Sequence, residues 1–91
     1  MNKSEFVRKL SEKMGSTQKD AERFFDAYNE AIMEALSEGE KVQVIGFGSY
    51  EVRERKAREG RDPRTGKTVS IPAKRVPVFK PGKILKEAVG G

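Results

Sequence analysis

Between residues 53 and 75 the chain carries nine Lys and Arg residues, three acids and few apolar side chains. Arg53, Arg55, Lys56, Arg58, Arg61, Arg64, Lys67, Lys74 and Arg75 form a dense set of donors for phosphate oxygens. Arg predominates, and its planar guanidinium suits bidentate phosphate contacts and entry into the narrow minor groove of a duplex. No aromatic residue is interleaved, so the stacking platforms typical of single-stranded RNA readers are missing. The charge is also lopsided. Residues 1–40 hold six Lys/Arg and nine Asp/Glu, a net of −3, whereas residues 41–91 hold thirteen and five, a net of +8. A mildly acidic scaffold joined to a polyanion-binding surface is the expected design.

Other chemistries fit poorly. Gly60 and Gly66-Lys67-Thr68 resemble a nucleotide phosphate loop, but five residues separate the glycines where four are required. The following Val69-Ser70-Ile71-Pro72 is β-like, so no helix N-terminus faces a phosphate there. Gly46-Phe47-Gly48 lacks the third glycine and the helix of a dinucleotide site and reads as a tight sheet turn. Glu51, Glu54, Glu59 and Asp62 stand among Lys and Arg, where salt bridging is the plain explanation. With no Cys and no His, disulfides, thiol nucleophiles and the commonest general base and metal ligand are excluded. A metal site would have to be all-oxygen, and no calcium-loop spacing is present. The expectation is a non-enzyme with no cofactor and no metal. No apolar run is long enough to span a membrane, and Met1-Asn2-Lys3-Ser4-Glu5 lacks the apolar stretch of a secretory signal, so a cytoplasmic protein is expected.

The elements that must carry this basic segment follow from capping and periodicity. Asn2 with Glu5 starts a helix whose Phe6, Val7, Leu10 and Met14 recur at helical spacing, and Gly15 closes it. Thr17 with Asp20 starts a longer helix, with Ala21, Phe24, Phe25, Tyr28, Ile32, Ala35 and Leu36 on one face, ended by Gly39. These residues, 1–40, form a helical hairpin base. From Lys41 the pattern becomes β, through Val42, Val44, Tyr50 and Val52, with a break at Gly46-Phe47-Gly48. Segments 41–52 and 76–80 form a three-stranded antiparallel sheet. Residues 53–75 extend from it as a long β-ribbon arm folded at Asp62-Pro63-Arg64-Thr65-Gly66. Each limb of about eleven residues reaches on the order of 35 Å at ~3.3 Å per residue. Pro81-Gly82 precedes a short C-terminal helix over 82–89 with Ile84, Leu85, Ala88 and Val89, and Gly90-Gly91 reads as a frayed end. The fold class is α+β in a single domain spanning 1–91.

A chain of 91 residues encloses only a small core. Phe24, Phe25, Tyr28, Ile32, Phe47 and Phe79 are too many large side chains for it, which predicts an obligate dimer with these residues at the interface. Two functional classes stay open on the residues alone. One is an architectural binder of double-stranded DNA. The other is a dimeric scaffold whose arms bind structured RNA or an acidic protein.

Several segments resemble those of a known protein family. Gly39-Glu40-Lys41-Val42-Gln43-Val44-Ile45-Gly46-Phe47-Gly48-Ser49-Tyr50-Glu51-Val52-Arg53 closely resembles the central sheet of bacterial HU proteins. Gly60-Arg61-Asp62-Pro63-Arg64-Thr65-Gly66 is similar to their arm tip, and Val76-Pro77-Val78-Phe79-Lys80-Pro81-Gly82-Lys83 to their return strand. The similarity runs along essentially the whole chain without gaps, with integration host factor as the near relative. It implies an intertwined homodimer, nucleoid-associated, whose two arms grip DNA in the minor groove, wrapping, bending and compacting it with little sequence preference. It places phosphate and groove contacts on Arg53, Arg55, Arg58, Arg61 and Arg75, with Lys80, Lys83 and Lys86 along the saddle and Lys3 on the flank. Arg64, Lys67 and Lys74 complete the basic set. The kinking wedge falls on Pro63, although its fixed φ equally suits a turn. Bent, nicked or junction DNA is the expected preferred ligand. Asp62 stands where Asn is usual and Arg64 where Gln is frequent, and Phe79-Lys80-Pro81-Gly82 leans toward integration host factor, the site-preferring alternative.

Overall fold

The computed structural model describes residues 1–90; Gly91, half of the terminal pair read as a frayed end, lies outside them. The elements in chain order are α1 (Lys3–Met14), α2 (Gln18–Ser37), β1 (Val42–Val44), β2 (Gly48–Arg55), β3 (Arg58–Arg61), β4 (Thr68–Ile71), β5 (Lys74–Pro81) and α3 (Lys83–Val89). Two compact units result, Met1–Ala35 and a second that begins at Leu36, inside the last turn of α2.

In the first unit both helices start where their capping residues stand. Asn2 Oδ1 accepts from Glu5 N at 2.9 Å, and Thr17 Oγ1 accepts from Asp20 N at 3.1 Å. Gly15 takes a left-handed φ of +65° and ends α1. The chain then turns back, and Phe6 meets Phe25 with ring centroids 5.6 Å apart. Among the described residues only Val7 and Ala21 are buried hydrophobics, and no large side chain is fully buried. Phe24 remains 51% exposed and Met33 61% exposed.

The second unit holds a three-stranded antiparallel sheet in the order β1-β2-β5, followed by α3. Phe47 N donates to Val44 O at 3.0 Å to close the β1–β2 turn. The backbone at Gly48 lies so close to the Phe79 ring that a Cβ there would sit 2.5 Å from Phe79 Cζ. Gly82 N donates to Phe47 O and Ile84 N to Gly46 O, which ties the start of α3 to the β1–β2 turn. Pro77 and Pro81 are accommodated because β5 is an edge strand, with a side that needs no donors.

The arm differs from the single continuous ribbon expected for residues 53–75. The β2–β5 ladder continues into it as far as Arg55↔Lys74, stops, and resumes as a separate β3–β4 pair at Arg58↔Ile71. Each strand advances three residues across the gap, so the register is kept and neither strand bulges. Pro72 lies in that gap, and with no N–H it has no hydrogen to give the ladder. At the tip, Asp62 N donates to Lys67 O and Gly66 N to Asp62 O, both at 2.8 Å, and Gly66 has the left-handed φ of +72° that the turn requires.

Candidate nucleic-acid interface

Successive residues of a strand point to opposite faces, so the register sorts the basic residues by side. On one face Ser49, Glu51, Arg53 and Arg55 of β2 stand with their partners Lys80, Val78, Val76 and Lys74 of β5. On the other, Tyr50, Val52 and Glu54 stand with Phe79, Pro77 and Arg75. The first face gathers Arg53, Arg55, Lys74 and Lys80. The second is aromatic: Phe79 lies 4.9 Å from Tyr50 and 6.0 Å from Phe47, centroid to centroid.

Arg75 is therefore separated from the cations it was grouped with. Its guanidinium donates to Leu36 O at 3.3 Å and to Ser37 O at 3.4 Å. These carbonyls end α2, where the helix dipole favours a cation, and Leu36 O also accepts from Gly39 N at 3.0 Å. The side chain ties the root of the arm to the end of α2.

The first face holds one acid. Glu51 Oε1 is 2.9 Å from Lys80 Nζ and 3.8 Å from Arg53 Nε, and its Oε2 is 3.9 Å from Lys41 Nζ. Hydrogen bonding from Lys80 holds the carboxyl below the usual carboxylate range; the charges of Lys80, Lys41 and Arg53 add to this, against the opposing effect of desolvation. Lys41 was not among the residues singled out from the sequence. Only the β1–β2 pairing, Val42↔Tyr50, brings it opposite Glu51.

Beyond the gap, Arg58 shares a face with Ile71, Gly60 and Val69, while Arg61 shares the other with Thr68, Glu59 and Ser70. The few apolar side chains of this part of the arm thus gather on one face. Gly60 leaves room for Ile71, whose Cδ1 would be 3.0 Å from a Cβ at that position. In the turn, Asp62 Oδ1 accepts from Arg64 N at 2.8 Å, an arrangement that holds the loop while Pro63 and Arg64 stay exposed. Among the described residues, no carboxylate forms an ion pair with Arg55, Arg58, Arg61, Arg64, Lys67 or Lys74.

The remaining candidates lie elsewhere. Lys83 and Lys86 are exposed on α3. Lys3 belongs to the helical unit, where its ammonium is 3.0 Å from Asp26 and 3.8 Å from Glu22. Hydrogen bonding and attraction from Asp26 raise its pKa above the ordinary lysine value. No described helix is long and apolar enough to cross a membrane.

Comparison with known proteins agrees with this arrangement. Residues 1–90 match the family model described as bacterial DNA-binding protein. The chain is 55% identical to DNA-binding protein HU of Geobacillus stearothermophilus over 89 residues, covering 98% of this chain and 99% of that one. It is 50% identical to DNA-binding protein HU 1 of Bacillus subtilis over 91 residues, covering 100% and 99%. Among solved structures, an Anabaena HU–DNA cocrystal structure superposes with a TM-score of 0.88 at 51% identity, covering 99% of this chain and 98% of that one. HU from Thermotoga maritima gives 0.70 at 40% identity, with 98% of each chain covered. With a cation face on one side of the sheet and a basic arm beyond it, the chain belongs to the bacterial DNA-binding protein family typified by HU.

Proposed function

We propose that the protein is a dimeric architectural binder of double-stranded DNA, nucleoid-associated, that bends and compacts duplexes of mixed sequence. The observation that carries this reading is the set of arm cations, Arg55, Arg58, Arg61, Arg64, Lys67 and Lys74, which have no carboxylate partner among the described residues. Cations left unpaired on an exposed ribbon are free to neutralise phosphates and release counterions. No base-reading helix is needed for that, which suits a sequence-tolerant binder. The similar Anabaena protein crystallised with DNA supports duplex DNA as the ligand.

Dimerisation completes a core that one chain leaves open. Phe24, Tyr28, Phe47 and Phe79 are each between 37% and 51% exposed, and with Phe25 and Ile32 they are the proposed interface. Covering the exposed part of four such rings, roughly 80 Å² each, contributes on the order of 8 kcal/mol at about 25 cal/mol per Å². In the proposed complex the two arms lie in the minor groove, with Arg53, Lys80, Lys83 and Lys86 nearer the body. Pro63, a rigid exposed ring flanked by Arg61 and Arg64, enters a base step. Unstacking costs a few kcal/mol per step, so DNA already kinked by a nick or at a junction binds more tightly than intact duplex.

The test is a fluorescence titration of a mixed-sequence duplex across a salt series, beside nicked and four-way-junction DNA. Affinity should fall steeply with salt, with a log–log slope near −0.9 for each phosphate neutralised. Binding confined to one base sequence, or preference for structured RNA over duplex DNA under the same salt, would overturn the reading.

A further inference from the structure

The cation face of the sheet contains one carboxylate, and its position is selective. Glu51 is flanked by Lys41, Arg53 and Lys80, each drawn from a different place in the chain, and its side chain is only 19% exposed. Its strand neighbour Glu54 points to the opposite face, in register with Arg75. A phosphate oxygen and a carboxylate oxygen make the same demands on an ammonium or guanidinium: negative charge at hydrogen-bond distance. The three cations therefore already hold an anion before any polyanion arrives.

Given the duplex binding proposed above, we infer that Glu51 is a built-in competitor for DNA phosphate, a residue that tempers affinity at the body of the protein. A backbone phosphate brought to Lys80 must displace the Glu51 carboxylate or share the ammonium with it, at the cost of like-charge repulsion. Farther along the arm, Arg55, Arg58, Arg61, Arg64, Lys67 and Lys74 have no such competitor among the described residues. Contacts at the arm thus form first and most strongly, and the sheet face engages duplex only when the arms have bent it inward.

The test compares the parent with Glu51→Gln, Glu51→Asp and Glu54→Gln in titrations of one mixed-sequence duplex between about 50 and 200 mM salt. Glu51→Gln should bind more tightly, and its salt slope should steepen by about one unit per protomer engaged. That increment makes its advantage shrink about 3.5-fold per protomer across the salt range. Glu51→Asp keeps the charge and should keep the parental slope; Glu54→Gln makes the same charge change on the other face and should gain far less. Equal or weaker binding by Glu51→Gln, from a protein whose thermal midpoint shows it folded, would show that Glu51 orients the cations and would overturn the competitor role. An equal gain from Glu54→Gln would reduce the effect to net charge, and the same gain from Glu51→Asp would show that the charge is not responsible; either sinks the inference. A parent that binds no duplex at all removes the proposed function, and this role with it.

Discussion

Lys74 and Arg75 are adjacent and equally charged, yet the β2–β5 ladder sends them to opposite faces. Lys74 stands on the face of Arg53, Arg55 and Lys80, with no carboxylate partner among the described residues. Arg75 stands on the face of Tyr50 and Phe79, and its guanidinium is occupied by Leu36 O and Ser37 O. One strand pair thus serves two purposes. Its cation side is left unneutralised, apart from the region around Glu51, and suits a polyanion. Its aromatic side is left partly uncovered and suits a second protein chain. Net charge alone does not identify a binding residue: what decides is the face it occupies and whether the fold has already used its donors.

The largest effect should come from the aromatic face. Phe79→Ala removes the ring that touches both Tyr50 and Phe47. It should destabilise the folded dimer by about 3 kcal/mol or more if a partner completes its burial. The parent's thermal midpoint should rise with protein concentration, because folding and association are linked. A midpoint constant over a wide dilution series would mean that this face is covered within one chain, and the comparison between faces would lose its second half.

At the arm tip, beyond both faces of the sheet, Pro63→Ala should reduce the bending of intact duplex and leave affinity for nicked DNA nearly unchanged. The preference for nicked over intact duplex should widen by on the order of 1–2 kcal/mol, because only intact DNA needs the wedge to hold the kink. Energy transfer between end-labels measures the bend, and matched titrations of intact and nicked duplexes measure the preference. Equal bending by the variant would reduce Pro63 to a turn residue.

The contrast between neighbours is sharpened by a paired substitution. Lys74→Ala should flatten the salt dependence of DNA binding by about one unit and leave thermal stability within about 0.5 kcal/mol. Arg75→Ala should do the reverse, lowering stability by about 1 kcal/mol through the lost helix-end hydrogen bonds while the slope is kept. A slope change in Arg75→Ala as large as in Lys74→Ala would return Arg75 to the DNA contacts.

The smallest effect concerns acid. The carboxyl of Glu51 is held below its unfolded-state pKa by Lys80, so it stabilises the fold above the ordinary carboxylate range. That contribution is lost as pH falls through the lowered folded-state value. Glu51→Gln should therefore differ from the parent in thermal midpoint near neutral pH and converge with it in acid, read by circular dichroism across a pH series. Curves that stay parallel to the lowest pH would show that the Lys80 contact adds nothing to stability.

Local signals were sufficient for much of this architecture. Capping pairs at Asn2 and Thr17, the turn at Asp62 to Gly66 and the dense basic run all act over a few residues, so chain order alone reveals them. Pro72 also carried the break in the arm, since its missing N–H is a property of the residue and not of its surroundings. Alternation along a strand likewise implied that Lys74 and Arg75 diverge. Which of the two meets the end of α2, however, depends on strand register and on the path of a helix almost forty residues earlier. The same holds for Lys41, Glu51 and Lys80, and for Lys3 with Asp26, whose charges were evident but whose pairing was not. Propensity and turn chemistry are short-range and can be read along the chain, whereas the neutralisation of a charge is set by whatever the tertiary fold brings within a few ångströms of it.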